Sequence, residues 1–373
     1  MLLLASVSAF AQSATTGALT GTVTSDGVPL PGALVTLTSP SLQGTRTAYS
    51  DANGNYNVSA LPGGDYTVRV SLEGLQDVTR TTRVTVAGTA RVDVDMKVSA
   101  VAESITVTAS APAVLETTEV QANFQKRQVD DLPIARNPTA IANLAPGVTN
   151  NGPNGLQISG AMSTDNLIMV NGATVMDNIR GQSRPLYIED AIQETTVLSA
   201  GVSAEYGNFT GGVISSVTKS GGNEFSGSLR DSLDNPSWTE VSAGGEPKGI
   251  DKTNNIYEGT LGGRIIRDRL WFFGAARQAN TSNPARFSSL VNQTGSQIIS
   301  DQENLRWEAK LTGQITPSHS LMVNYLDNPL TFTNDTQARP WDLNAIDPSA
   351  TQQENFKAIQ YNGIFTSNLL GEV

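Results

Sequence analysis

Leu305-Arg306-Trp307-Glu308-Ala309-Lys310-Leu311-Thr312-Gly313-Gln314-Ile315 alternates without a break: every odd position is apolar or glycine, every even one polar or charged. An extended chain turns successive side chains to opposite faces, so this stretch has one apolar face and one carrying Arg306, Glu308 and Lys310. Strands of about 10 residues divided in this way mark a transmembrane β-barrel, whereas soluble sandwich strands run nearer 5–6 residues. Tyr257, Leu261 and Ile265, with Gly259 and Gly263 between them, oppose Glu258, Thr260 and Arg264 in the same manner; Phe225, Leu229 and Leu233 form a weaker version. Arg267-Asp268 before Leu270–Ala276, and Thr316-Pro317-Ser318-His319 before Leu321–Tyr325, are short turns, while Asn235–Asn254 and Asn280–Gln302 are long polar stretches. Short turns on one side and long loops on the other suit a membrane barrel. The competing reading is a large soluble β-sandwich or adhesin stalk.

Upstream the grain is finer. Gly17 to Val98 reads as seven short strands: Ala18–Thr24, Ala33–Thr38, Arg46–Ser50, Tyr56–Ser59, Tyr66–Leu72, Thr79–Val86 and Ala90–Val98. Asp26-Gly27, Pro31-Gly32, Asn53-Gly54, Pro62-Gly63-Gly64 and Ala87-Gly88 supply the turns between them. Such spacing predicts a β-sandwich. Glu103–Ala111 (ESITVTASA) is extended and Thr/Val-rich, stops at Pro112, and is expected to be a linker rather than another sheet strand. Gln121 to Ser220 predicts an α+β domain, with helices at Val129–Leu132, Pro138–Leu144 and Ile188–Ile192 and strands at Leu156–Ser159, Asn166–Val170, Thr195–Ser199 and Val213–Thr218. Asn171-Gly172 signals a type I′ hairpin turn. Residues 1–11 contain an apolar run and an Ala9-Phe10-Ala11 cleavage pattern, as in a signal peptide, although no Lys or Arg precedes it and the charged n-region is missing.

Composition narrows the chemistry. Charged residues make up only 16% and the net charge is −11 with no basic block, which argues against nucleic acid as a partner. There is no Cys and one His, so a thiol nucleophile, a thiolate zinc site and any pair of His are excluded. Ser216-Val217-Thr218-Lys219 and Lys219-Ser220-Gly221 imitate two motifs of penicillin-recognising enzymes, but one Lys would have to serve both. Asp51, Asn53 and Asn55 lack the glycine and closing Glu of a calcium loop. His319 is expected in a solvated turn. Tyr49, Tyr56 and Tyr66 could stack on sugars, although packing is the commoner use of such Tyr. We expect no catalytic residues, no metal and no cofactor.

Taken in order, these parts resemble a TonB-dependent outer-membrane receptor of the Oar-like type. The sandwich resemblance runs through Gly21-Thr22-Val23, Gly27-Val28-Pro29-Leu30-Pro31-Gly32-Ala33-Leu34-Val35, Asp51-Ala52-Asn53-Gly54-Asn55-Tyr56 and Leu61-Pro62-Gly63-Gly64-Asp65-Tyr66-Thr67-Val68, all similar to a carboxypeptidase-regulatory-like domain. A plug domain is matched by Leu132-Pro133-Ile134-Ala135-Arg136-Asn137, Leu144-Ala145-Pro146-Gly147-Val148, Asp165-Asn166, Val170-Asn171-Gly172, Ala204-Glu205-Tyr206-Gly207 and Gly211 to Gly221. The barrel entry Asn223–Leu229 and the hairpin Gly262–Gly274 match as well. One departure is Asn171-Gly172, where the family often has Asp-Gly.

The resemblance implies a mainly β chain in five parts: a signal peptide (1–11), a carbohydrate-binding-like or prealbumin-like β-sandwich (17–98), a linker with a TonB box (99–112), an α+β plug domain (113–222) and the first strands of an incomplete transmembrane β-barrel (223–373). Glu103, Ser104, Ile105, Thr106, Val107, Thr108 and Ala109 look like the TonB box. A strand there can add to the sheet edge of a partner through main-chain hydrogen bonds. The implied partners are the periplasmic C-terminal domain of TonB, outer-membrane lipid and a substrate of carbohydrate or peptide class. The implied location is a Gram-negative outer membrane, with sandwich and plug on the periplasmic side. Substrate specificity is expected in plug apices and extracellular loops, and the sequence names no substrate-binding residue. From Asn223 onward there is chain for about six to eight strands, whereas plugged transporters use about 22, so a protein well over twice as long is expected. The alternative from another class is a glycan-binding or adhesive cell-surface β-protein.

Overall fold

In the computed structural model the described residues are 15–42, 44–98, 105–106, 120–152, 155–177, 181–202, 206–238, 251–284, 299–316, 319–335, 346–366 and 369–372. The expected signal segment, and residues 103–104 and 107–109 of the expected box, lie outside them.

The N-terminal sandwich follows from short half-buried strands. Its first sheet is built on β1 (Gly17–Ser25), flanked by β2 (Val28–Pro29) and β5 (Asn55–Leu61), with β8 (Thr89–Arg91) and β9 (Val94–Asp95) running parallel to β1. The expected single strand Ala90–Val98 is therefore two short pieces. The second sheet holds β3 (Leu34–Thr38), β4 (Arg46–Tyr49), β6 (Gly64–Ser71) and β7 (Val78–Val84). Alternate residues of both sheets point inward: Leu19, Val23, Val35, Leu37, Val68, Val70 and Met96 have no exposed surface. Gly21 is needed for close approach, because a Cβ there would meet the Val92 carbonyl at 1.9 Å. The second sheet has a fifth strand. Ile105–Thr106 forms β10, parallel to β7, with Ile105 opposite Val78 and Thr106 opposite Thr79. The expectation of a plain linker is corrected there: the outer main-chain groups of β7 need partners, and Ile105–Thr106 supply them at Val78 and Thr79.

The plug sheet has the order β11-β16-β17-β14-β15: β11 (Val120–Gln125), β14 (Leu167–Val170), β15 (Ala173–Thr174), β16 (Ile192–Ala200) and β17 (Val213–Thr218). A separate hairpin joins β12 (Val148–Gly152) to β13 (Gly155–Ile158). Helix α1 spans Lys126–Asp130, slightly upstream of the expected Val129–Leu132, and α2 spans Pro138–Ala142. Pro138 opens α2, and the Ala140 amide donates to the Asn137 side chain at 2.8 Å. Asn171 (φ 48°) and Gly172 (φ 78°) form the β14–β15 turn in the left-handed region a type I′ turn requires. Ile188–Ile192 contains a single 3₁₀ turn, Glu189–Ala191.

From Ser226 the described residues form one antiparallel sheet of seven sequential strands: β18 (Ser226–Asp234), β19 (Asn254–Ile266), β20 (Leu270–Pro284), β21 (Ile299–Thr316), β22 (His319–Asp335), β23 (Asp347–Thr366) and β24 (Leu369–Glu372). The five from β19 to β23 outrun the expected ten residues. The 20-residue β23 reaches about 65 Å at ~3.3 Å per residue, so the hairpins continue beyond an apolar band ~25 Å tall.

The decisive stretch is turned as membrane strands are. Leu305, Trp307, Leu311 and Ile315 are 39–65% exposed, while Arg306, Glu308 and Lys310 are 8%, 2% and 3% exposed. Tyr257, Leu261 and Ile265 likewise face outward and Glu258 inward. Aromatic groups bound this outer face. Trp307 and Tyr325 pack at 4.9 Å on one level, and His319, Tyr361 and Phe365 cluster near the short turns. Trp307 to Thr316, the partner of His319, is about 30 Å of strand, or about 23 Å along the normal at a ~40° tilt. His319 is therefore no solvated loop residue: it starts β22, with Nδ1 2.6 Å from the Tyr361 hydroxyl.

Candidate functional site at the plug, wall and sandwich junction

The inward face of the wall is a hydrogen-bonding surface for the plug. At its centre the 3₁₀ turn Glu189–Ala191 presents Asp190, 1% exposed, to a group of cations: Lys126 at 3.0 Å, Arg230 at 3.3 Å and Arg136 at 3.4 Å. The wall hydroxyl Ser228 donates to the same carboxylate. Burial pushes the Asp190 carboxyl up, but the Ser228 hydroxyl and the Lys126 ammonium outweigh it and hold it down at about 2. Arg136 spans from plug to wall by also reaching Glu258 on β19 at 3.2 Å, and the Asp190 amide donates to Glu258 at 3.4 Å. Glu189 bridges Arg277 of β20 at 3.1 Å and Arg306 of β21 at 3.5 Å. Arg306 also donates to the Tyr187 carbonyl at 3.0 Å and covers the Tyr187 ring at 5.8 Å. Burial pushes the Tyr187 hydroxyl up to about 12, so it stays neutral beside Glu189.

A second patch lies nearer the short turns. Lys310 donates to the Thr218 carbonyl at 2.9 Å and to the Asn171 side chain at 3.2 Å. Glu308 accepts from the Thr218 hydroxyl at 2.7 Å and from the Asn171 amide at 3.5 Å. Asn171 thus donates on one side and accepts on the other. An Asp there would hold its turn equally well but set a carboxylate against Glu308, so the exchange that looks indifferent in a hairpin matters at the wall. Apolar contact completes the seat, with Ile188 and Ala191 of the plug packed on Phe273 and Ala275 of β20. Farther along, Arg184 pairs with Glu354 of β23 at 3.2 Å.

The sandwich is docked on the plug at the same end. Glu194 on β16 is 3% exposed and accepts from the Val86 amide at 3.1 Å. Burial raises its carboxyl above the ordinary value, against the lowering effect of that amide. Gly63 has no room for a side chain, since a Cβ there would lie 2.1 Å from Glu194 Oε1. Between the three parts lies a cavity of about 520 Å³ lined by Arg46 and Gly63 of the sandwich, Glu194 and Lys219 of the plug, and Lys310 and Gln314 of the wall.

Of the expected box, the described residues Ile105 and Thr106 lie on the sandwich edge, apart from the charged patches. Asp190, Glu194, Arg136, Glu258, Glu308 and Lys310 were not singled out from sequence as site residues. The even-parity charges of the wall strands were their signal, but the pattern does not say what they face. Tyr56 and Tyr66 are core residues 3% and 1% exposed, with hydroxyls donating to the Val92 and Pro62 carbonyls, so they form no sugar platform. Among the described residues no group of His, Cys, Asp or Glu could hold a metal ion, and no helix is long and apolar enough to cross a membrane.

A folded plug held by charges on the inside of a wall with an apolar outer face defines a plugged outer-membrane barrel. Comparison with known proteins agrees. Residues 18–97 match the carboxypeptidase regulatory-like domain family. Over 291 residues the chain is 34% identical to the TonB-dependent transporter Oar of Myxococcus xanthus, covering 71% of this chain and 26% of that protein. The chain thus matches about a quarter of that relative's length. In fold it is similar to the ferric enterobactin receptor PfeA of Pseudomonas aeruginosa (TM-score 0.51, 16% identity, 66% of this chain and 39% of that one). It is also similar to the siderophore receptor PirA of Acinetobacter baumannii (TM-score 0.50, 18% identity, 65% and 37%) and to the outer membrane transporter YddB of Escherichia coli (TM-score 0.50, 15% identity, 66% and 37%). The chain belongs to the TonB-dependent receptor family and is an outer-membrane protein.

Proposed function

We propose that this chain takes part in energised import: a substrate is admitted through the barrel when TonB, driven by the inner-membrane proton gradient, pulls on Glu103–Ala109 and rearranges the plug. The observation that carries this reading is the plug's attachment. It is held to the wall by side-chain ion pairs and hydrogen bonds around Asp190 and Asn171, and among the described residues no strand is shared between plug and wall sheets. Side-chain contacts of this kind can be exchanged for water as the plug shifts, while the main-chain ladders of plug and wall stay intact. An extended segment also suits the pulling role, because strand addition draws its affinity from main-chain groups.

The test is binding of the purified receptor to the C-terminal domain of TonB, with and without Ile105→Pro and Val107→Pro. Proline removes a ladder donor and fixes the backbone, so it strikes the pairing itself. Binding that disappears in the double variant is the expected result. A receptor that shows no binding even when unmodified would leave the adhesive, glycan-binding reading in its place.

A further inference from the structure

The sandwich sheet runs β10-β7-β6-β3-β4, which makes β7 the last long strand on that side. On its inner side β7 is paired with β6 over seven positions, from Val78 opposite Val70 to Val84 opposite Gly64. On its outer side, among the described residues, Val78 faces Ile105 and Thr79 faces Thr106. An edge of this kind accepts strands, and its pairing is through the main chain, indifferent to most side chains. The strand that occupies it lies within the segment assigned above to TonB. A main-chain group of Ile105–Thr106 that faces β7 is unavailable to a partner's strand on that side.

We infer that the edge of β7 is the resting dock of the coupling segment, so that the sandwich and TonB compete for the same strand. This rests on the reading of Glu103–Ala109 as the TonB-binding segment. A parallel pairing through the main chain is suited to the task, since it holds the segment without depending on its side chains. The dock is also placed to transmit its state. Two residues beyond the end of β7, the Val86 amide is bonded to Glu194 on plug strand β16, so occupancy of the β7 edge and seating of the plug share one element.

The chain has no cysteine, which makes a direct test clean. Thr79→Cys with Thr106→Cys places thiols on paired residues of adjacent strands, within the range a disulfide spans. Val78→Cys with Ile105→Cys offers a second pair from the same ladder, should the first variant fail to fold. In the purified receptor we expect the disulfide to form on mild oxidation, and affinity for the TonB C-terminal domain to fall at least tenfold and return on reduction. If the unmodified and reduced receptors bind TonB but neither pair cross-links, the edge is not the dock and the inference falls while the coupling role stands. Cross-linking with undiminished TonB binding overturns it too, by showing that both pairings coexist. If the unmodified receptor itself does not bind TonB, the coupling role fails and this inference with it.

Discussion

The sandwich and the wall use the same period-two alternation with opposite consequences. In β6, Tyr66, Val68 and Val70 are buried and the polar parity looks out. In β21, Leu305, Trp307 and Leu311 look out, and Arg306, Glu308 and Lys310 are buried. One rule gives both results: apolar side chains go where water is absent. For a sandwich in water that place is between the sheets, and for a wall strand it is the lipid. The buried charges of the wall are then tolerable only because the plug pairs them, as Arg306 with Glu189 and Lys310 with Thr218.

The contrast can be broken most severely at Asp190. Asp190→Ala removes the anion shared by Lys126, Arg136 and Arg230 and leaves Asp130 and Glu258 to pair all three, an excess of positive charge that should cost about 3 kcal/mol. Faster proteolysis of the plug with the wall intact would show it. The pH dependence has a definite sign. A carboxyl held down at about 2 stabilises fully above its ordinary value near ~3.9, and that contribution is lost as pH falls through about 2.

The next pair of variants sets the two solvents against each other. Leu37→Ala in the sandwich core should destabilise by about 2–5 kcal/mol, with Leu311→Ala on the lipid face costing far less. Leu311→Arg should cost about 2–4 kcal/mol if that position lies near the bilayer midplane. Denaturant titration in lipid vesicles measures both; equal losses for the two Ala variants would mean the wall face is not in lipid. Asn171→Asp should cost about 1–3 kcal/mol in plug–wall stability, since it removes the donor aimed at Glu308 and adds a like charge.

The smallest effect is expected at the sandwich contact. Burial raises the Glu194 carboxyl, so the stability it lends is present at acid pH and is lost as pH rises through its raised value. Glu194→Gln should leave docking intact and flatten that pH dependence, whereas Gly63→Ala should disturb docking at every pH. Cross-linking yield between sandwich and plug, followed against pH, distinguishes them.

Elements were legible where period and punctuation agreed. The wall strands, the sandwich turns, α2 behind Asn137-Pro138 and the Asn171-Gly172 hairpin were all readable, because each depends on residues close in sequence. Strand length was not. β23 extends to 20 residues because β22 offers it a ladder from Asp347 to Gly363 and β24 one from Asn362 to Thr366, which is a property of its neighbours. His319 was misread for a similar reason: Pro317 suggested a loop, but Tyr361, 42 positions away, holds the ring at the start of a strand. The fate of Ile105–Thr106 was equally hidden, since nothing in ESITVTA says which sheet edge lies nearby.

By itself the sequence determined the alternation, and with it that one face of each wall strand is apolar and one charged. It determined the order of sandwich, plug and wall, and it excluded thiol chemistry. Only the tertiary structure decided what each charged face meets: Asp190 among three cations, Glu308 and Lys310 on Asn171 and Thr218, Glu194 under Val86. The physical reason is range. Side-chain parity and turn geometry are set by neighbours in the chain, whereas the partner of a buried charge is whatever residue the fold carries to within about 3–4 Å of it, however far away in sequence.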